Sequence, residues 1–278
     1  MDSQSVRWSL IARYTLLILL SIIFLAPFYI LIRNAFMTRA EIAAFDWIFF
    51  PESLQWNNLT DLFSDPIAPM ASGLWNSAII STFQVAGELL FPALAAYGLA
   101  KIPFRWRNIV FVITLIALMV PPTAIFIPAF LVVDQLGWVN TLQGIIVPRI
   151  FNVFNLIIFR QFFLAFPKDI EEAGQVDGLN YWGIFWRLVV PNSVGIFVAL
   201  GSISLLRSWN GYLWPLVIGQ SKDTWTVQVV LSTFMTAQTI NLPALFMGSL
   251  VAVLPMVIVF FLLQRFIVQG VTSTGLKG

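Results

Sequence analysis

Six stretches of about 20 predominantly apolar residues, the length a helix needs to cross a bilayer, divide this chain of 278 residues. They run from about Tyr14 to Arg33, Leu74 to Ala100, Asn108 to Val133, Leu142 to Ala165, Ser193 to Ile218 and Leu245 to Ile267. In hydrocarbon every backbone N–H and C=O must be satisfied within the protein, so segments of this kind fold as helices. The sequence therefore predicts an all-α, polytopic membrane protein with six transmembrane helices. The first stretch follows Arg7 and Arg13 as a signal peptide would. It is longer than a signal-peptide core and no small-residue cleavage site follows, so it is read as a retained helix.

Composition supports lipid as the solvent, since only 10% of residues are charged against about 25% in soluble domains. A net charge of +2 leaves no basic stripe for nucleic acid. Neither Cys nor His occurs, which removes disulfides, thiol nucleophiles, Ser-His triads and the commonest metal ligands. No catalytic residue and no metal site is expected. Pro92, Pro121, Pro122, Pro128 and Pro255 lie inside spans. Each frees a carbonyl that neighbouring helices or a watered cavity must satisfy, which predicts packing around a pathway.

Positive charge sets orientation. With a cytoplasmic N-terminus, the inner segments hold Arg7, Arg13, Lys101, Arg105, Arg107, Arg160, Lys168, Arg187, Arg265 and Lys277, and the outer ones only Arg33, Arg39 and Lys222. Both termini are thus expected in the cytoplasm. The long outer loop, about Met37 to Gly73, carries Glu41, Asp46, Glu52, Asp61 and Asp65 beside Trp47, Phe49, Phe50 and Trp56. It reads as an interfacial aromatic segment with a solvated acidic loop, which also suits docking of an external partner.

The inner loop between the fourth and fifth stretches, residues 166–192, is organised. Pro167 suits a helix start, and Asp169, Glu171 and Glu172 complement its positive end. Ile170, Ala173 and Gly174 share a face, and the two small residues would let another protein approach closely. Gly178 ends this helix, and Asn180 caps a second that presents Trp182, Phe185 and Val189 before Pro191. The pair reads as a lever lying along the membrane face.

The loop resembles the cytoplasmic signature of permease subunits of binding-protein-dependent ABC importers, E-A-A, three residues, G, nine residues, I-x-L-P. Here it stands as Glu172-Ala173-Gly174, Gly178 and Leu188-Val189-Val190-Pro191, with both spacings kept and with Gly, Leu and Val as conservative departures. Asp177-Gly178 matches a pair common in the carbohydrate-uptake branch. Asn76-Ser77, Ala95 to Lys101, Met119-Val120-Pro121, Ile127-Pro128, Leu136 to Thr141, Trp209-Asn210, Trp214-Pro215-Leu216 and Gln264 to Val268 through Lys277-Gly278 extend the likeness along the chain, to the smaller maltose-type permease in particular.

The resemblance implies a type I importer permease over residues 1–278, in the inner membrane of a bacterium. Its partners would be a second homologous permease, a cytoplasmic ATPase dimer and an external solute-binding protein. Glu171, Glu172, Ala173, Gly174, Asp177 and Gly178 would form the helix that docks on the ATPase. This chain would be no enzyme and would bind no cofactor, since it lacks G-x-x-x-x-G-K-[ST]. ATP and Mg would be used by the partner.

Charged and polar residues inside spans are candidates for the solute pathway. Glu88, Asn152, Asn155, Trp209, Asn210, Tyr212 and Trp214 have the hydrogen-bonding and ring chemistry that holds a sugar. Glu88, Arg149 and Arg207 also admit a purely structural reading, as ion pairs or as side chains reaching the headgroups. With so few cations available, a neutral sugar or oligosaccharide suits the pathway better than a phosphorylated one. The competing reading is an ion-coupled secondary transporter with Glu88 as its ion site.

Overall fold

The computed structural model describes residues 3–235 and 240–274, with side chains over 10–235 and 240–264. Arg7 and Arg265 are thus described by backbone alone, and Lys277 and Gly278 of the tail resemblance lie outside the described residues. The chain folds as helices in the order α1 (Ser3–Ala35), α2 (Arg39–Ile42), α3 (Asn57–Ser64), α4 (Met70–Lys101), α5 (Arg107–Met119), α6 (Pro122–Gln135), α7 (Leu142–Ile146) and α8 (Val153–Leu164). There follow α9 (Lys168–Val176), α10 (Tyr181–Asn192), α11 (Val194–Trp209), α12 (Leu213–Ile218), α13 (Val227–Thr233) and α14 (Leu242–Thr274). Among the described residues no strand forms beyond one isolated bridge between Met235 and Ile240.

Three helices are continuous apolar spans, Leu10–Ala35, Met70–Lys101 and Leu242–Gln264. Three more spans are bent pairs, α5 with α6 at 99°, the Leu142–Arg149 segment with α8 at 40°, and α10 with α11 at 78°. The third expected span is therefore broken in its middle. Val120 and Pro121 are extended, with ψ 119° and 136°, because a proline drives the residue before it out of the helical region; Pro122 then opens α6. The fifth begins where expected, at Ser193, and is corrected at its other end. Its helix stops at Trp209, where Asn210 caps it, rather than running to Ile218, and its apolar run continues backwards through the Ser193 bend into α10.

The described residues form two compact units, one of 3–70, 230–235 and 240–255, the other of 71–229 and 256–274. In the first, the most apolar stretch of α1 has no buried residue, and among its described side chains only Asn34 and Ala35 at the end of the helix are covered. The outer loop folds back on the end of this helix. Asn58 donates from Nδ2 to the carbonyls of Ala35 and Met37 at 2.9 and 3.0 Å, and the Arg33 guanidinium lies 4.1 Å from the Trp47 ring centre. Glu41 completes a capping box with Thr38 and accepts from the Glu52 N–H at 2.8 Å. These bonds hold its carboxylate below the usual range. The loop is consequently more structured than a solvated acidic segment, while Trp47, Phe49, Phe50 and Trp56 stay exposed.

The second unit has two cores. In one, Ala93, Ala96 and Tyr97 of α4 pack with Leu156, Phe159 and Phe163 of α8, Ile184, Phe185 and Val189 of α10, and Leu200 of α11. In the other, Ile80, Val133, Ile145, Trp214 and Ile218 gather α4, α6, α7 and α12. Short polar side chains tie the ends together. Asn76 donates to the carbonyls of Asp223 and Trp225, Ser77 accepts from the Val227 N–H, and Oδ1 of the Asn140 side chain accepts from the Ser221 N–H and the Thr224 hydroxyl, both at 2.8 Å. Asn140 adopts φ +59° to do so, a conformation Asn tolerates better than most residues.

Candidate functional site

The loop with the signature folds as a helical hairpin. Pro167 is extended and precedes α9, whose first turn carries Asp169 and Glu171. Gly178 closes α9 with φ +81°, a left-handed conformation that would strain any residue with a Cβ. Asn180 then starts α10, its side chain accepting from the Gly183 N–H at 2.8 Å. The turn folds α9 back on α10, and this reversal decides which residues face outward.

Gly174 faces inward. A Cβ built there would stand 2.6 Å from Cδ1 of Leu188 and 3.3 Å from Cγ1 of Ile184. The small residue at 174 thus admits this chain's own α10 rather than another protein, which corrects the expectation. Two departures from the signature, Gly at 174 and Leu at 188, touch one another, the leucine occupying the space a second alanine would take. Glu171 is also turned inward, where its Oε1 lies 3.0 Å from Nζ of Lys101, the side chains being 13% and 9% exposed. Glu172, Ala173, Gln175, Val176 and Asp177 are exposed. Val176, which the sequence reading passed over, is 87% exposed and gives this acidic face an apolar centre. The expected lever is corrected too: Phe185 and Val189 are buried in the core under α4, and only Trp182 of the three named residues is exposed.

The second site is a cavity of about 480 Å³ lined by α4, the bent third and fourth spans, and the turn after α11. Glu88, Arg149, Asn152, Arg207 and Trp214 line it, with Gln84 and Ser208. Glu88 is ion-paired with Arg207, whose Nη2 donates to its Oε2. Ser208 donates to Gln84 Oε1 at 2.6 Å, and Gln84 Nε2 donates to the Ile145 carbonyl at 3.0 Å. The Arg149 guanidinium lies 5.4 Å from the Trp214 ring centre, within cation–π range. The indole Nε1 of Trp214 is buried without a hydrogen-bond partner.

The structure brings together Glu88, Asn152 and Trp214 of the expected pathway residues. Asn152 also caps α8, accepting from the Phe154 N–H at 2.9 Å. The others lie elsewhere. Asn155 is buried and donates to the Glu88 carbonyl and to Ser204, bracing α8 against α4 and α11. Asn210 closes α11 and receives Gln228, Trp209 is buried, and Tyr212 is exposed off the cavity wall. Gln84 and Ser208 were missed. They are polar residues within apolar runs, a signal present in the sequence that a selection of charged, Asn and aromatic side chains passes over.

The binding-protein-dependent transport system inner membrane component family matches residues 88–273, from the cavity carboxylate through the hairpin to the last helix. The chain belongs to this family. Among relatives, it is 31% identical over 262 residues to the arabinooligosaccharides transport system permease protein AraQ of Bacillus subtilis, covering 94% of this chain and 93% of that protein. It is 34% identical over 264 residues to the lactose transport system permease protein LacG of Rhizobium radiobacter, covering 95% of each. The fold is similar to that of a crystal structure of a bacterial ABC transporter involved in import of the acidic polysaccharide alginate, with a TM-score of 0.81, 21% identity, and coverage of 95% of this chain and 98% of that one. The protein is therefore an inner-membrane transport component whose family is a membrane subunit and not an ATPase.

Proposed function

We propose that this chain is one permease subunit of an ATP-driven carbohydrate importer, and that a neutral sugar or oligosaccharide passes the cavity beside Glu88, Asn152 and Trp214. The observation that carries the coupling half of this reading is the outward face of α9. Glu172, Ala173 and Asp177 are presented to solvent on a helix whose inner face is anchored to the protein's own core. Glu172 pairs with a basic group on a cytoplasmic ATPase, Ala173 and Val176 fill its groove, and Gly178 holds the turn. ATP with Mg is bound and hydrolysed by two copies of that partner. This chain contributes no chemistry to hydrolysis. A second, homologous permease completes the path, and both compact units act within one permease domain.

The carbohydrate assignment rests on relatives named for arabinooligosaccharides and lactose and on the chemistry of the cavity. Its volume of about 480 Å³ falls in the range of small-molecule sites. The Glu88 charge is already answered by Arg207, leaving amide, hydroxyl and indole groups for a solute rich in hydroxyls. The same pairing argues against the ion-coupled carrier, because a carboxylate held by a guanidinium is poorly placed to exchange an ion. Uptake of radiolabelled sugar in cells depleted of the ATPase but still holding a proton gradient tests the reading. Uptake is expected to cease; persistence would sink it.

A further inference from the structure

Lys101 has more partners than a cation that merely marks the inner side of the membrane. It is the last residue of α4, and its Nζ lies 3.0 Å from Glu171 Oε1 in the first turn of α9. The same ammonium donates to the Phe166 carbonyl, just past the end of α8, at 3.1 Å. The ammonium thus gives a hydrogen bond to a carbonyl at the end of α8 and its charge to a carboxylate of α9, an ion pair rather than a second hydrogen bond. One turn earlier on α4, the Tyr97 ring packs 5.1 Å from the ring of Phe185 on α10. The end of α4 thus grips both arms of the hairpin. Thirteen residues back along this unbroken helix, about 20 Å at 1.5 Å per residue, Glu88 enters the cavity and holds Arg207 of α11.

We infer that the Lys101–Glu171 pair is the mechanical joint through which movement of α9 is delivered to α4 and so to the Glu88–Arg207 end of the cavity. The inference rests on the ATPase-coupled reading above and adds to it residues that touch neither solute nor ATPase. A docked helix can move the spans only through contacts stiffer than the loops on either side. Pro167 and Gly178 bracket α9 with non-helical backbone, so rigid transmission must pass through side chains. Lys101 and Glu171 are positioning residues, and a nearly buried ion pair resists separation far better than an exposed one.

The test uses the whole complex in proteoliposomes, with variants K101M, K101R, E171Q and the charge swap K101E/E171K. Sugar uptake and ATP hydrolysis are measured on the same preparations, and assembly is read from copurified ATPase. Arg105 and Arg107 remain to set orientation. In K101M and E171Q the complex is expected to assemble and hydrolyse ATP within about twofold of wild type, while uptake falls roughly tenfold, a single coupling step in size. K101R is expected to keep uptake, and the swap to recover at least about half of it. Uptake unchanged in K101M, uptake and hydrolysis falling in equal proportion, or no recovery in an assembled swap would each overturn the joint. If wild-type uptake itself proceeds without ATP, the reading beneath the inference fails instead, so the two failures are separable.

Discussion

Removing either partner of the Glu88–Arg207 pair should cost different amounts, because the two side chains are buried unequally. The Glu88 side chain is 9% exposed and that of Arg207 is 47% exposed. Arg207→Met strands a carboxylate with little access to water. Breaking a buried pair from one side costs roughly 3–5 kcal/mol, and the open cavity beside Glu88 brings the expectation to about 2–4 kcal/mol. Glu88→Gln leaves a guanidinium that can turn into the cavity. Its loss should approach that of an exposed pair, about 1 kcal/mol or less. The double variant carries no stranded charge and should be more stable than Arg207→Met alone, with a coupling energy of roughly 1–3 kcal/mol across the cycle. Thermal denaturation of the four proteins in lipid nanodiscs measures this, at roughly 2–4 °C per kcal/mol for a large chain. Equal losses, a costlier Glu88→Gln, or strict additivity would refute the reasoning.

Other expectations follow from the same geometry. Glu172→Lys should abolish uptake and the copurification of ATPase while leaving the permease folded; normal uptake with an intact complex would remove Glu172 from the contact. A Cβ at Gly144 would stand 2.2 Å from the Trp138 carbonyl oxygen, whereas one at Gly98 meets nothing within 4 Å. Gly144→Ala should therefore cost at least about 1–3 kcal/mol, the range for overpacking, and Gly98→Ala should be nearly neutral or slightly stabilising, both read from melting temperature. Asn140→Ala loses two accepted hydrogen bonds and should cost about 1–3 kcal/mol, seen as earlier proteolysis of the segment around Ser221. The Glu41 carboxylate, held down chiefly by the Thr38 N–H and then by the Glu52 N–H and the Thr38 hydroxyl, contributes to order in the outer loop above its unfolded value of about 4.3. That contribution disappears as pH falls through the lower folded value. Hydrogen-exchange protection over residues 38–52, corrected for the intrinsic rate at each pH, should fall on acidification in the wild type and change much less in Glu41→Gln.

The spans and the hairpin were legible because their signals are local. Apolar length marks a spanning helix, and Pro167, Gly178 and Asn180 mark the hairpin's ends in the order a chain needs them. The bends were less legible. Pro121-Pro122 announces a break and Pro191 announces the bend at Ser193, but their angles, 99° and 78°, are set by what the following helices pack against. Facing directions were hidden for the same reason. Glu171 and Glu172 are neighbours about 100° apart on a helix, and only Lys101, far back in the chain, says which turns inward. Gly174 was read as room for a partner because the fold-back onto Leu188 is a tertiary fact. In the cavity, residue type singled out Asn155, Asn210 and Tyr212 on chemistry alone. Asn155 is taken up by the Glu88 carbonyl, which Pro92 four residues on leaves without its helical donor, Asn210 by the Leu206 carbonyl at the end of α11, while Tyr212 stays exposed.

The central claim is that this permease moves a sugar only when an ATPase drives it through α9. Proteoliposomes holding the chain with its companion permease and ATPase, with solute-binding protein and labelled sugar on the outer face, test it most directly. Accumulation should require ATP and Mg on the ATPase side, should be lost in Glu172→Lys, and should ignore an imposed proton or sodium gradient. Accumulation driven by such a gradient in the absence of ATP would contradict the account.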